Sequence, residues 1–404
     1  MTAVDPAAAE GRQAGVTLAA CCSVHAWQDG LTSTVNVMLP LLAQAFGLSY
    51  VQVGIVKAAN LAAMALLEIP SGLLSERFGT RRLLVFGLTV VGAGYIWLSF
   101  AAGFTAILFS LFLAGVGAAF QHTLSSAIIS AAFPGRSARP ALGTYNAAGD
   151  VGKLALTGGF TLLLGLGAGW QGIAFGYGVL SVALALAVLV LLFRAGIGGG
   201  AARTAPDGPA PRKRGWGIRS RSGFAALCAI NFLDTMAQSG FKTFVAFLMI
   251  ERGVALHLAA LAVVLTLAGG VVGKFCCGFL AARLGIIRSL VLVEVLTAAG
   301  IAAVVFAPPM LAFGLLPVLG AFLQGSTSIT YGSIGDLIDR DRQARGFSLI
   351  YTTSTAASVI VSVCLGLLGD WLGVGNMMLA VAAITLLPLV LCGPLSSGLA
   401  KASG

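Results

Sequence analysis

Five acids and four lysines of this chain fall inside long apolar runs: Asp29, Glu68, Asp150, Asp234 and Glu294, with Lys57, Lys153, Lys242 and Lys274. At helical spacing they line up with other polar groups on single faces. His25, Asp29, Thr32 and Asn36 recur at i, i+4, i+7 and i+11; Asn146, Asp150 and Lys153 share one face, and so do Asn231, Asp234, Gln238 and Lys242. Lys57, Asn60 and Glu68 form a fourth stripe, Gln324, Ser328 and Tyr331 a fifth, and Ser348, Tyr351 and Thr355 a sixth. A carboxylate in such a stripe can take up and release a proton as a wet cavity opens to either side, while lysines and amides there can hold a polar solute. Asp29 is the first choice as proton carrier, with His25 as relay and Asp234 or Glu68 as alternatives. A second reading has His25 only hydrogen-bonding inside the bundle. Asp150 and Lys153, at i and i+3, read equally as cavity lining or as a structural ion pair. Glu294 reads as structural or interfacial.

The elements that carry these stripes are membrane spans. The chain has 404 residues, 58% hydrophobic and only 9% charged, with a mean hydropathy of +0.97. Such a composition excludes a soluble globular domain. The apolar runs approach 20 residues, the length that crosses a bilayer as a helix, and lack the ten-residue alternation of a β-barrel. Breaks at charged, Gly-rich or Pro-rich points predict spans at 18–43, 51–74, 83–102, 105–131, 141–165, 171–193, 223–249, 257–281, 287–307, 310–331, 347–369 and 373–396. The expectation is an all-α membrane protein of twelve transmembrane helices. They fall into two six-helix bundles, 1–193 and 223–404, joined by a basic linker at 194–222 that is rich in Gly and Pro.

The net charge of +10 belongs to the membrane rather than to nucleic acid. Arg77, Arg81, Arg82, Arg136, Arg139, the linker bases, Arg283, Arg288, Arg340, Arg342 and Arg345 all fall in even-to-odd loops, and Arg252 alone falls in the opposite set. By the positive-inside rule these loops and both termini are cytoplasmic. The first 17 residues carry Asp5, Glu10 and Arg12 and no apolar core, so no cleavable signal is expected. Cys21, Cys22, Cys228, Cys276, Cys277, Cys364 and Cys392 stand in apolar stretches without CxxC spacing and read as packing residues.

A shift of 206 positions superposes Gly72, Arg77, Gly79 and Arg82 on Gly278, Arg283, Gly285 and Arg288, and a shift of 203 carries Gln121 and Gly143 onto Gln324 and Gly346. The halves are thus parallel repeats. The first copy, Gly72-Leu73-Leu74-Ser75-Glu76-Arg77-Phe78-Gly79-Thr80-Arg81-Arg82, resembles the loop motif of the major facilitator superfamily, with Glu76 where Asp is usual and Thr80 in place of a base. That resemblance implies the superfamily's pseudo-twofold fold and alternating access, with spans 1, 4, 7 and 10 lining a cavity flanked by 2, 5, 8 and 11. It also implies that Gly72, Glu76, Arg77, Gly79, Arg81 and Arg82 gate the cytoplasmic side. Asn36, Gln121, His122, Asp150, Lys153, Gln238, Lys242, Lys274, Gln324 and Tyr351 are the expected substrate contacts.

A closer resemblance, to the fosmidomycin-resistance exporter family, rests on His25-Ala26-Trp27-Gln28-Asp29, on His122 with Ser125 and Ser126, on Gly135-Arg136, and on Gly149 and Gly152. Thr123 and Leu124 stand where that family has Pro and Glu, and span 5 has no Gly-Pro pair. The resemblance implies proton-coupled efflux of a small polar solute or drug from the bacterial cytoplasm across the inner membrane. Uptake of a small organic anion by symport, and a transport-fold sensor or assembly protein, remain the alternatives. HExxH and GxxxxGK[ST] are absent, and Gly149-Asp150 is only a fragment of an aspartyl-protease signature, so no enzyme is expected. Nor is any cofactor or metal; the expected partners are the solute, protons and the bilayer, with a monomer as the functional form.

Overall fold

The computed structural model describes residues 6–133, 137–198, 216–339 and 343–403. Pro134-Gly135-Arg136, residues 199–215 of the linker, and Arg340 and Arg342 lie outside the described residues. The chain runs through α1 (Pro6–Phe46), α2 (Tyr50–Phe78), α3 (Thr80–Ser99), α4 (Phe104–Ala118), α5 (His122–Ala132), α6 (Ala138–Gly165) and α7 (Trp170–Arg194). It continues through α8 (Arg221–Glu251), α9 (Leu256–Leu284), α10 (Ile286–Phe306), α11 (Pro309–Gly332), α12 (Ile334–Leu337), α13 (Gln343–Leu386) and α14 (Pro388–Ser403). Only helices close every backbone hydrogen bond within one segment, as a lipid environment demands.

Eight stretches among the described residues are long and apolar enough to cross a membrane, one of them covering both of the last two expected spans. The remaining long helices, α1, α6 and α8, are those interrupted by Asp29, by Asp150 with Lys153, and by Asp234 with Lys242. Two expected spans differ at their ends from the helices that hold them. Span 1 starts far earlier, at Pro6. The span expected at 105–131 runs over Phe104–Ala132, with a joint between α4 and α5 where Phe120 and Gln121 bond to Gly117 and Ala118 three residues back and tighten the turn. The expected break between spans 11 and 12 falls at Gly373, whose φ of 79° and ψ of 162° interrupt the helical run. The second of them is then broken before Pro388, whose ring nitrogen has no proton to donate.

The chain separates into two compact units, Met1–Met38 with Ala59–Ala210 and Leu39–Ala58 with Pro211–Gly404. In the first unit α3 packs along α4 and α7, around a core that includes Val24, Leu84, Leu88, Leu124, Ile129 and Leu192. In the second, α9 packs along α11 and α8 along α13, over Leu227, Ile230, Leu290, Val293, Leu337 and Ile350. The end of α1 and the start of α2 belong to this second unit: the Tyr50 and Val51 amides donate to the Asp370 carboxylate at 2.7 and 2.9 Å. Large apolar side chains such as Phe100, Phe275, Phe306 and Trp371 are exposed, while His25, Gln28, Lys57, Asn231, Asp234 and Glu294 are buried. That inversion of the soluble pattern is what a lipid-facing surface around a polar interior requires.

Small residues set the helix spacing, since lipid supplies no hydrophobic drive between spans. A Cβ on Gly115 of α4 would strike the Asn60 carbonyl of α2, and one on Gly320 of α11 would strike the Thr266 carbonyl of α9. These contacts are repeat-related. So are the turns at Gly79 (φ 84°, ψ 144°) and Gly285 (φ 82°, ψ 160°), a backbone region open essentially to glycine alone.

Candidate functional site

In the first unit α1 and α6 touch backbone to backbone. Gly152 sits against the Ala26 carbonyl, Gly30 against the Gly152 carbonyl, and Gly149 against the His25 ring. The approach delivers side chains of α6 directly onto the stripe of α1. Asp29, 13% exposed, receives three bases: Lys153 Nζ lies 3.0 Å from Oδ2, His25 Nε2 3.2 Å from Oδ2, and His122 Nε2 3.5 Å from Oδ1. Lys153 also reaches Asp150 Oδ1 at 3.2 Å. The two readings of Asp150 and Lys153 therefore merge: Lys153 bridges a structural carboxylate on its own helix and the functional candidate on α1.

His25 is fixed from behind. Its Nδ1 donates to the Tyr145 carbonyl at 2.7 Å, its ring stacks on the Tyr145 ring with centroids 4.0 Å apart, and His122 meets it edge-on at 5.2 Å. Gln121, at the joint between α4 and α5, donates to the Tyr145 hydroxyl at 2.9 Å. Tyr145 is the residue that sequence reasoning missed. Asn146 is exposed, on the face it shares with Asp150 and Lys153, while Tyr145 is buried. The signal was its i, i+4 spacing to Gly149.

The second unit treats its acid differently. Asp234 accepts from Ser326 Oγ at 2.8 Å and from Gln238 Nε2 at 2.9 Å, and Gln238 also reaches Thr327 at 3.0 Å. Asn231 donates to Ser354 at 2.8 Å and to the Ile350 carbonyl at 3.4 Å. Lys242, further along α8 and half-buried, acts electrostatically on Asp234 and on the buried Lys57, which belongs to the same unit. Ser326, Thr327 and Ser354 were not singled out from the sequence, because short hydroxyl side chains are common in such helices. Gln324 donates to the Thr266 carbonyl at 3.1 Å and so ties α11 to α9. Tyr351 is exposed and packs edge-on against Tyr331 at 5.5 Å. Lys274 and Glu68 are half-buried. Glu294 is buried on α10 with Oε1 lacking a hydrogen-bond partner among the described residues, and it feels the Asp234 charge. Asn36 is buried, with Oδ1 likewise unpartnered among the described residues.

At the expected gate, Gly72 packs near Thr123 of α5, and Gly79 turns the chain into α3. Arg81 donates to the Leu192 and Ile197 carbonyls at 3.4 and 3.3 Å and covers the Phe193 ring. It therefore caps the C-terminal end of α7, where a cation complements the helix dipole. Arg77 lies over the Phe78 ring. Glu76 and Arg82 are exposed, and Glu76 pairs with no base among the described residues.

Repeated helical halves, an apolar exterior and polar clusters buried in span after span define a polytopic membrane carrier. The profile of the Major Facilitator Superfamily matches residues 25–233 and again residues 227–398. The chain belongs to this superfamily, and it is a transporter of the secondary kind; members are typically carriers rather than enzymes. It is similar to YfnC, an uncharacterized MFS-type transporter of Bacillus subtilis (strain 168), at 27% identity over 373 residues, covering 91% of this chain and 89% of the relative. A shorter match joins it to the fosmidomycin resistance protein of Escherichia coli (strain K12), 28% identical over 112 residues and covering 28% of each chain. The fold is that of a bacterial homolog to the human lysosomal transporter Spinster, solved in an inward-facing and occupied conformation: TM-score 0.73, 16% identity, 96% of this chain and 95% of that one.

Proposed function

We propose that this transporter exports a small polar organic solute in exchange for protons across the bacterial inner membrane, with both termini cytoplasmic. Residues 1–193 and 223–404 act as the two moving halves of a monomer, joined by the linker 194–222. The observation that carries the reading is the Asp29 carboxylate facing His25, His122 and Lys153 inside a membrane helix. Ionised, Asp29 holds all three bases. A proton on it breaks the pairing and frees Lys153 to turn toward Asp150 and an incoming anionic group. His25, anchored on Tyr145, relays the proton. Asn36, Gln121, His122, Asp150 and Lys153 present the solute surface of the first half, and Gln238, Lys242, Lys274, Gln324 and Tyr351 that of the second. Asp234 and Glu68 are secondary proton sites. Gly72, Glu76, Arg77, Gly79, Arg81 and Arg82 form the cytoplasmic gate. The name of the fosmidomycin resistance relative supports the export direction.

A second reading, proton-coupled uptake of a small organic anion, is favoured by one observation: Lys57, only 5% exposed, lies within electrostatic range of Lys242. An anion held beside both lysines would favour their charged forms. The test uses purified protein in liposomes under an imposed pH gradient, with a panel of organic anions and drugs added and a pH dye inside. Export predicts that one compound dissipates the gradient in wild type and not in Asp29→Asn, with solute and proton moving in opposite directions. Movement in the same direction selects uptake. No proton movement with any compound removes the proton-coupled reading.

A further inference from the structure

The proton reading leaves one feature of the Asp29 cluster unused. His25 Nδ1 lies 2.7 Å from the Tyr145 carbonyl oxygen, which has no proton to give. Nδ1 therefore carries the ring proton, and in the neutral ring Nε2 presents a lone pair. That lone pair faces Asp29 Oδ2 at 3.2 Å, one acceptor against another. A positive centre belongs between them, either a second ring proton or a cation. His122 Nε2, 3.5 Å from Oδ1 on the other side of the carboxylate, supplies a third donor, and the three ligand atoms lie within 4.8 Å of one another.

We propose that His25, His122 and Asp29 are three ligands of a site for a divalent transition-metal ion of the zinc class. Each imidazole faces its own carboxylate oxygen, His25 Nε2 at 3.2 Å from Oδ2 and His122 Nε2 at 3.5 Å from Oδ1, and with all three ligand atoms within 4.8 Å of one another one ion can draw them to bonds of about 2.0–2.2 Å. Two imidazoles and a carboxylate are a donor set that such ions favour over Mg²⁺ or Ca²⁺. The supporting shell is already built. The Tyr145 carbonyl orients His25 through its far nitrogen, as metal-bound imidazoles usually require, and Gly149 with the Tyr145 ring holds the imidazole plane. The fourth position opens beside His122, whose side chain is 34% exposed. Lys153, 3.0 Å from the same Oδ2, is a built-in competitor, with Asp150 3.2 Å away to receive it when a metal enters. Sequence spacing shows only two of the three: His25 and Asp29 sit at i and i+4 on α1, while His122 arrives from the start of α5. A metal and a proton compete for Asp29 and His25, since both ligands bind the ion in their deprotonated forms, but metal binding itself can be read without any transport.

The test is Co²⁺ binding to the full-length protein in detergent without a polyhistidine tag, read by the visible absorption that tetrahedral cobalt acquires, with Zn²⁺ as competitor. Wild type is expected to bind one Co²⁺ with these bands and to release it to Zn²⁺. His122→Asn and Asp29→Asn are expected to weaken binding at least tenfold, Lys153→Met to tighten it about tenfold, and His257→Asn, on an exposed and separate helix position, to leave it unchanged. His122→Asn is the decisive variant, because its partly exposed site tolerates replacement; gel-filtration profile and helical circular dichroism check its fold. Should Asp29→Asn fail to fold, His122→Asn and Lys153→Met carry the comparison. Tetrahedral bands absent in wild type, or binding equal in wild type and His122→Asn, overturns the site. Proton transport in liposomes is scored separately, so failure of coupling leaves the cobalt result intact and the reverse.

Discussion

Asp29 and Asp234 occupy repeat-related positions and live in opposite company. The shift of 206 that superposes the two loop motifs carries His25 onto Asn231 and, within one residue, Asp29 onto Asp234 and Tyr145 onto Ile350. In each unit the polar side chain one turn before the acid reaches a backbone carbonyl at that matched place, Tyr145 in one and Ile350 in the other. On this common frame Asp29 meets an ammonium and two imidazoles, whereas Asp234 meets a hydroxyl and an amide. Basic partners bind a carboxylate tightly only while it is ionised, and hydroxyl and amide donors serve either form with little rearrangement. On the proposed reading a proton arriving at Asp29 breaks its pairing with Lys153, while one arriving at Asp234 disturbs little. The repeat supplies two matched scaffolds, and their acids differ in the partners that other helices bring to them.

The largest effect expected from this contrast is on transport. Asp29→Asn should lower proton-coupled flux in liposomes by at least 100-fold, because the neutral amide releases His122 and Lys153. Asp234→Asn should stay within about tenfold of wild type, because its amide oxygen still accepts from Ser326. Equal losses in the two variants would break the comparison. Next in size is Gly149→Ala. Its methyl would meet the His25 Nε2 at 2.6 Å, and forcing such a contact costs about 1–3 kcal/mol. The expected result is a lowered melting temperature together with a flux loss of about tenfold. Normal flux in Gly149→Ala would show that the position of His25 does not matter.

A sharper check of the frame itself uses the two turn glycines. Alanine at Gly79 or Gly285, where φ is 84° and 82°, should destabilise by about 1–2 kcal/mol in each case. Equal shifts in thermal unfolding of the two variants are the signature of a true repeat. A shift at one glycine alone would mean that the turns carry unequal loads.

Much of the architecture was legible because its causes are local. Apolar runs, positive loops and the Gly79 and Gly285 turns each leave a mark within a few residues. The joint between α4 and α5 left none, since Gly115 to Leu124 reads as an unbroken apolar stretch apart from Gln121, His122 and Thr123, and the first two read as substrate contacts rather than as a helix break. Phase was the second difficulty. Polarity marked only the face of Asn146, Asp150 and Lys153, whereas the contacts of Gly149 and Gly152 with α1 decide which residues of α6 are buried, and they select Tyr145. Partners were the third: the stripe containing Asp29 was visible on α1, yet His122 and Lys153 come from two other helices, and only tertiary packing brings them to one carboxylate. Gln324 shows the converse, a polar residue on the expected face whose amide is used to bind a neighbouring helix.

Tyr145→Phe gives the smallest expected effect and tests how the first unit divides its labour. The substitution deletes the hydroxyl that receives Gln121 at 2.9 Å and keeps the ring under His25 and the carbonyl that holds Nδ1. One lost hydrogen bond is worth about 1 kcal/mol, so the melting temperature should fall slightly and flux should stay within about fivefold. Tyr145→Ala, which also removes the stacking ring, should lose about tenfold more, because His25 then turns away from Asp29. If Tyr145→Phe alone matches Asp29→Asn, the hydroxyl lies on the proton path, and the first unit carries its proton through Gln121 and Tyr145 rather than through the imidazole of His25.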